Sequence, residues 1–372
     1  MHELFIVPVF VPHSGCPHRC VYCNQTTITG INASRLSAGE VRSGIRRFLD
    51  YKGPRRSRTE IAFYGGNFLG LHPSYGNMLL DIAQRFVDDG TAQGVRFSTR
   101  PDSVTPEALE ALAPYTVRVV ELGAQSMDNR VLNHCRRNHQ AQDTARAVGL
   151  LRAHGLGVGI QIMPGLPGDT RASILETGLR VAELQPDVVR IYPTVVIKNT
   201  ELERWYRSGR FVPLTLARAV EIVTELYDIF ATRNVTVIRM GLQASTSLLK
   251  PGTVVAGPFH PAFGHMVHSR RFLDLAIRVL DGKTRPFDRV TVRVFPGEVS
   301  RAVGHRRENI RALIKRFGLR GVQVVGDPHV PAGTLRVAFT PGVHDAQQPQ
   351  KRCCDEKGPF MENNKNLSAT EK

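Results

Sequence analysis

What most restricts the fold of this chain is an alternation. Over its first 240 or so residues, short β-rich runs are separated by stretches with helical periodicity. The strand candidates begin at Leu4 (LFIVPVFV), Glu60 (EIAFY), Gly94 (GVRFST), Val117 (VRVVEL), Gly157 (GVGIQIM), Val188 (VVRIYP) and Val235 (VTVIRM). Between them, Ser37 and Glu40 form a capping box ahead of a helix reaching about Tyr51, and Thr105 before Pro106 reads as an N-cap with proline at the first helical position. Longer helical patterns cover about 141–154, 170–184 and 214–232. Strands that each feed a helix pair in parallel through right-handed crossovers, with both faces of the sheet buried. The pattern predicts an α/β protein of six or seven such units, a barrel or an open part-barrel, whose site lies where the loops after the strands converge.

Past about Gly241 the pattern changes. A loop rich in Gly, Pro and His (GPFHPAFGH from Gly257) precedes a helix near Met266–Leu280, a strand from Arg289 (RVTVRVF), a basic helix from about Val299 to Phe317, and two more strands, GVQVV and LRVAF. This predicts a part-barrel over residues 1–243, a small basic α+β extension over 244–343 and a disordered polar tail over 344–372.

Only six cysteines occur in 372 residues, and three of them fall within GCPHRCVYCN, which begins at Gly15 just after the first strand candidate. Such clustering does not resemble the spread framework of a disulfide-rich secreted protein and fits a reducing compartment. The start MHELFIVPVFVP shows no basic leader, and no segment reaches the ~20 apolar residues that span a bilayer. A cytoplasmic protein with no membrane partner is therefore expected. The formal net charge of +16 makes a polyanion such as nucleic acid a candidate partner.

Cys16, Cys20 and Cys23 can turn their sulfurs onto one small inorganic body. Thiolates are soft ligands that select zinc, copper(I) or iron-sulfur clusters. A structural zinc site takes a closed tetrahedral set, which His13 or His18 could complete, whereas three thiolates on a 4Fe-4S cluster leave one iron open for a substrate or cofactor. Cys135, Cys353 and Cys354 make a poor second set: one lies alone on a helix, the others side by side in the polar tail.

The Cys-x3-Cys-x2-Cys spacing, with Tyr22 before the last cysteine and a strand ahead of the set, resembles the signature of the radical S-adenosylmethionine superfamily. That resemblance implies a (βα)6 partial TIM barrel, a 4Fe-4S cluster on the three cysteines and S-adenosyl-L-methionine chelated to the open iron. It also implies reductive cleavage of that cofactor to methionine and a 5'-deoxyadenosyl radical, with electrons from a reductant such as flavodoxin or ferredoxin. FYGGNFLGL, with Gly65 and Gly66, resembles the superfamily's glycine pair, which lets backbone approach the methionine moiety.

STRPD (from Ser98), ELGAQS (from Glu121), RRNH (from Arg136), QIMPGLPGD (from Gln161) and RIYPTVVIKNT (from Arg190) resemble the radical domain of the Elongator catalytic subunit and its shorter bacterial relatives, a likeness covering roughly residues 4–243. It implies that Arg100, Gln125 and Gln161 face the cofactor's carboxylate and ribose and that Tyr192 lies near the adenine. Departures from that family are equally visible. The Elongator subunit spaces its first two cluster cysteines more widely, Asn24-Gln25 replaces its Pro-Gly, Asn67 stands where it has threonine, and no acetyltransferase pattern follows. The Asn67 amide oxygen is expected to accept from the cofactor's ammonium. More generally the chain also resembles oxygen-independent coproporphyrinogen oxidase, which shares the radical domain.

Residues 282–320 hold eleven Lys/Arg against three Asp/Glu, a net of +8 and half of the chain's excess. On one continuous helix, Arg307, Arg311 and Lys315 would form an exposed row able to neutralise successive RNA phosphates. GHRRENI at Gly304 loosely resembles the GXXG loop of KH modules but lacks the second glycine. The sequence and the resemblance to the Elongator radical domain together predict a radical S-adenosylmethionine enzyme acting in RNA (tRNA) modification. The alternatives are a coproporphyrinogen-oxidase-like enzyme for a small anionic substrate and a non-catalytic, zinc-stabilised RNA-binding module.

Overall fold

The computed structural model describes residues 4–11, 15–30, 35–52, 58–283 and 287–340. The expected disordered tail, with Cys353 and Cys354, lies outside the described residues, as does His13. Strands β1 (Leu4–Val11), β2 (Arg58–Gly65), β3 (Gly94–Thr99), β4 (Val117–Gln125), β5 (Gly157–Ile162) and β6 (Val188–Ile191) lie side by side in chain order, each parallel to the next. After a short strand apart from this sheet, β7 (Val196–Ile197), the chain returns as β8 (Thr236–Met240) to pair with β6, so the sheet has seven strands. It curls into the half-barrel expected of βα repeats.

Its strands are apolar nearly throughout, as strands covered on both faces must be. Val7, Ile61, Val95, Val120, Ile160 and Val189 are at most 1% exposed. The crossovers carry α1 (Gln25–Thr29), α2 (Ala38–Lys52), α3 (Pro73–Asp88), α4 (Pro106–Glu110), α5 (Asn129–His134), α6 (Ala141–Ala153), α7 (Arg171–Glu183), α8 (Glu201–Arg207) and α9 (Leu216–Thr232). Local chemistry sets where they begin. Ser37 and Glu40 bond reciprocally ahead of α2, and Thr105 Oγ1 accepts from the Ala108 N–H with Pro106 at the first position of α4. A Cβ on Gly178 of α7 would lie 2.5 Å from Leu226 Cδ2, so these two helices approach closely because that position has no side chain.

The chain divides into two compact units between Gly264 and His265, inside the first turn of α10 (Phe263–Asp281). That is later than the 243/244 boundary drawn from the sequence, for a packing reason. Strand β9 (Val254–Ala256) pairs antiparallel with β7, Leu248 packs with Val195 and Ile197, and Phe263 lies where a Cβ on Gly241 would stand, at 2.8 Å. Residues 244–264 thus belong to the first unit.

The second unit holds a three-stranded sheet of β10 (Arg289–Val294), β11 (Gly321–Gly326) and β12 (Leu335–Thr340). Here β10 is central, parallel to β11 and antiparallel to β12. The expected single basic helix is two helices, α11 (Val299–Val303) and α12 (Glu308–Phe317), broken where Gly304 takes φ 76° and Arg306 and Arg307 take φ 48° and 64°. Phe272, Val292, Ala302, Ile310, Leu313 and Phe317 are among the side chains that form its core.

Candidate cofactor site

The cysteine loop leaves the carboxyl end of β1 and is pressed against the turn after β2. Gly15 has φ 74°, and a Cβ there would lie 2.1 Å from the Asn67 carbonyl oxygen. The opposing Gly70 would place a Cβ 2.3 Å from the Gly15 carbonyl oxygen. Two glycines are therefore needed for backbone to meet backbone here. Asn67, 1% exposed, fastens the contact. Its Nδ2 donates to Gly15 O (2.9 Å) and Ser103 Oγ (2.8 Å), and its Oδ1 accepts from Thr99 Oγ1 (2.7 Å) and the Arg100 N–H (3.0 Å). Both donors and both acceptor sites of the amide are used within the protein. The oxygen expected to serve a cofactor ammonium is thus engaged within the protein, where Asn67 staples the loop to the end of β3.

Further along, the loop is laced from both sides. Val21 N–H donates to Cys135 O (3.2 Å), Leu202 N–H donates to Val21 O (2.8 Å), and Cys23 N–H closes a turn on Cys20 O (3.1 Å). Asn24, immediately after the last cysteine, caps α1 by accepting from Thr27 N–H and donates to Asn199 O at 3.2 Å. Val21, Tyr22, Val131, Cys135, Leu166 and Phe211 help build an apolar floor, with Cys20 and Cys23 packed at its edge.

All three clustered cysteines are free and half-buried, and Cys135 is free and buried. Burial, with the neighbouring thiols, raises the Cys23 pKa to about 12 and raises that of Cys16. Three thiolates here would repel one another in a poorly solvated loop, so the set favours a cationic body among them. Among the described residues no three His, Cys, Asp or Glu side chains converge closely enough to hold a single ion. A cluster makes no such demand, since each thiolate ligates a different iron.

Beside the thiols stands a guanidinium that the sequence reading did not single out. Arg137, 6% exposed, donates from Nη1 to Cys20 Sγ at 3.4 Å and from Nη2 to Gly123 O. Its neighbours Arg136 and Asn138 both take left-handed backbone, φ 54° and 53°. Such conformations cost roughly 1–3 kcal/mol each, and they turn Arg137 inward while Arg136 stays exposed. The Tyr22 Oη and Arg137 Nε are buried and have no hydrogen-bond partner among the described residues. Buried polar atoms without partners next to free thiols suit a polar cofactor at this position.

The other residues singled out from sequence gather along the carboxyl edge of the sheet. Gly65 ends β2 at φ 114°, and Gly66 lies in the turn that follows. Gln125 ends β4 with φ 68°, where the β4–β5 register slips, and its Oε1 accepts from Gln161 Nε2 at 3.0 Å. Tyr192, just past β6, accepts from Arg190 Nη1 at 3.3 Å. Arg100 is engaged within the protein. It is 3% exposed, gives Nε and Nη2 to the Asp102 carboxylate (2.9 and 2.8 Å) and also reaches Arg137 O. Its Nη2 thus links the Asp102 carboxylate to the Arg137 backbone. Arg307, Arg311 and Lys315 are exposed in the second unit; Arg307 precedes α12, so only Arg311 and Lys315 share a helix.

Deeper in the sheet lies a polar lattice. Glu60 accepts from Arg96 (Nε, 2.7 Å), and Glu121 accepts from Arg96 (3.3 Å), Tyr64 Oη (3.0 Å) and Arg190 (Nε, 2.5 Å). The sequence held a signal for it, charges interrupting apolar strand runs at Glu60, Arg96, Glu121 and Arg190.

Comparison with known proteins agrees with this geometry. Residues 10–180 match the Radical SAM superfamily domain, and residues 186–271 match the Radical SAM C-terminal domain. The tRNA uridine(34) acetyltransferase of Dehalococcoides mccartyi (strain CBDB1) is 28% identical over 230 residues, 53% of this chain and 50% of that protein. The protein of the same name from Methanocaldococcus jannaschii is 33% identical over 258 residues, 59% of this chain and 48% of that one. The chain thus spans about half the length of the curated relatives it matches. Among solved structures, the archaeal Methanocaldococcus infernus Elp3 with an N-terminal deletion (1-46) superposes with a TM-score of 0.58 at 23% identity, over 73% of this chain and 63% of that one, a likeness of fold. Among the described residues, no helix is long and apolar enough to cross a membrane.

Proposed function

We propose that this chain, which belongs to the radical S-adenosylmethionine superfamily, is an enzyme that applies that chemistry to RNA, with tRNA as the first substrate to test. Cys16, Cys20 and Cys23 would hold a 4Fe-4S cluster. When bound, the cluster supplies an iron for S-adenosyl-L-methionine and the electron for its reductive cleavage. The chain's own residues prepare the place. The Gly15–Gly70 contact and Asn67 fix the loop. The apolar floor beneath Tyr22 excludes water from one side of the thiols, which governs both access and local dielectric. Arg137 offers an unpartnered Nε and a positive charge to an anionic group. Gly65 and Gly66 leave room for backbone approach, and the Gln125–Gln161 pair and Tyr192 present amide and phenol groups along the same edge.

The observation that carries the reading is the set of three free thiols, held on a fastened loop at the carboxyl end of the first strand with a buried guanidinium on one of them. The RNA component rests on the relatives' names and on the net +8 of residues 282–320. Anaerobic reconstitution should give absorption near 400 nm and about four irons per chain, and dithionite should then release 5'-deoxyadenosine even without substrate. Cys20→Ala should lose iron and absorbance while staying folded. Cys135→Ala, which removes only a thiol in the apolar floor, should keep its iron. Full iron content in the Cys20 variant would overturn the cluster assignment. Nucleoside mass spectrometry of RNA from cells with and without the gene then tests the substrate. Identical modification profiles, with no RNA affinity in the protein, would point instead to a small anionic substrate.

A further inference from the structure

We propose that the loop joining α11 to α12 in the second unit is a binding site for the sugar–phosphate backbone of single-stranded RNA, an inference that rests on the reading of RNA as substrate. The unit runs β10, α11, loop, α12, β11, with β10 and β11 adjacent and parallel. A pair of helices between two strands, joined by a tight loop, is how KH modules present the GXXG loop that clamps a nucleic-acid backbone. In sequence the match looks incomplete, because Gly304-His305-Arg306-Arg307 lacks a second glycine.

The structure supplies what the sequence seemed to lack. Arg307 stands in the fourth position of the loop with φ 64° and ψ 30°, a conformation that glycine adopts freely and that other residues resist. Arg306 is left-handed as well, at φ 48°. Gly304, at φ 76°, is buried so tightly that a Cβ would lie 2.8 Å from Glu308 Cγ. Asn309, 3% exposed, donates from Nδ2 to Ala302 O (3.1 Å), Ser269 Oγ (3.1 Å) and Ser269 O (2.9 Å), tying the start of α12 to α11 and α10. Two consecutive arginines thus occupy a backbone shape that disfavours them, in a loop held rigid from beneath.

Charge and surface indicate the ligand. His305, Arg306 and Arg307 are exposed in succession, and Arg311 lies one turn further along α12. Guanidinium forks match phosphate oxygens two at a time. The acid in the loop's vicinity, Glu308, accepts from the His305 N–H at 3.2 Å. Phe295, 41% exposed just past β10, offers a ring one 3-10 turn (Pro296–Glu298) before α11, on the far side of that helix from the loop. At ~1.5 Å per residue that helix is short enough for the ring and the loop to serve neighbouring nucleotides. An aromatic face beside a cationic loop suits unpaired bases, which can stack, better than a duplex, whose bases already do.

The test measures fluorescence anisotropy of a labelled 12-nucleotide single-stranded RNA, its duplex, and anionic phosphatidylserine vesicles, with the full-length protein at 50 and 200 mM KCl. The single strand should bind most tightly. His305→Asp/Arg306→Asp should weaken it at least tenfold without changing cofactor cleavage in the absence of substrate. Arg307→Gly, which relieves the backbone, should raise or preserve the melting temperature and reduce the salt slope by ~0.7, one phosphate contact on a single strand. Phe295→Ala should weaken the single strand more than the duplex. Should the double variant misfold, photocrosslinking of RNA to the unmodified protein decides, with crosslinks expected within 295–311. Binding retained in the folded double variant, or crosslinks elsewhere, would remove the loop from the site while leaving RNA as substrate. Absence of all RNA binding in the unmodified protein would remove both, and a preference for duplex or vesicles would overturn the single-strand assignment.

Discussion

Arg137 Nη1 donates a hydrogen bond to Cys20 Sγ at 3.4 Å, and it does so from a position 6% exposed and 117 residues away in sequence. On a thiolate that ligates a cluster, the role proposed for Cys20, a buried cation has a definite sign of effect. It favours the more negative, reduced state, so it holds the reduction potential up. Arg137→Gln should keep its iron but shift the cluster's midpoint potential downward by about 60 mV, equivalent to a tenfold change for one electron. Arg137→Lys should fall between the two. An EPR-monitored redox titration of the three reconstituted proteins checks this; an unchanged potential with unchanged iron would mean that the residue only fills space.

Asn67 separates two roles that its sequence position left open. As an acceptor for a cofactor ammonium, it should be improved by a carboxylate. As the staple between Gly15 O, Ser103 Oγ, Thr99 Oγ1 and Arg100 N–H, it should be ruined by one, because the Nδ2 that donates to Gly15 O becomes a carboxylate oxygen facing that carbonyl. The geometry predicts the second. Asn67→Asp should lose on the order of 2–4 kcal/mol of stability, the cost of a buried carboxylate aimed at a carbonyl, and should bind iron poorly. Thermal melts and iron assays of the variant, together with cofactor affinity by equilibrium dialysis, test it.

Much of this was legible in the sequence, and the exceptions have causes. The strands of the half-barrel announce themselves because a parallel sheet buries both faces and so demands continuous apolar runs. The strands β7 and β9 do not, since two and three residues are too few to carry a pattern. The break after α11 was hidden for a related reason: Val299, Val303, Ile310, Leu313 and Phe317 keep helical spacing across it, and only the backbone shows Arg306 and Arg307 in left-handed conformations. The cysteine loop was legible because soft-metal chemistry leaves few alternatives to clustered thiols. Arg137 was not. In RRNH both arginines look alike, and which one turns inward is settled by φ angles at Arg136 and Asn138 that no side chain announces.

Glu121 sits 4% exposed between Arg96 and Arg190 and also accepts from Tyr64. Removing one member of a buried ionic network leaves the others charged and unpaired, at a cost of roughly 3–5 kcal/mol. Glu121→Ala should destabilise the protein by that order, whereas Glu121→Gln, which still accepts and fills the space, should lose less. Urea unfolding of the two variants orders them. If alanine and glutamine cost the same, the lattice contributes by charge alone.

His139 links the neighbourhood of Arg137 to pH. It is 4% exposed, neither ring nitrogen has a partner among the described residues, and burial, with Arg137 nearby, lowers its pKa to about 4. In the unfolded chain the ring titrates near 6.5. Between those values the unfolded state binds the proton and the folded state does not, so stability is intact above pH 6.5 and falls as the pH drops toward 4. At pH 5 the loss from this group is about 2 kcal/mol, taking ~1.4 kcal/mol per tenfold difference in proton affinity. His268 in the second unit is depressed to about 4 as well and contributes in the same window. His139→Leu removes the first contribution and leaves the second. Urea unfolding of the cluster-free protein at pH 7.5 and pH 5 should therefore show the variant losing about 2 kcal/mol less than the unmodified chain. Equal losses in the two would mean that His139 is solvated enough to titrate normally.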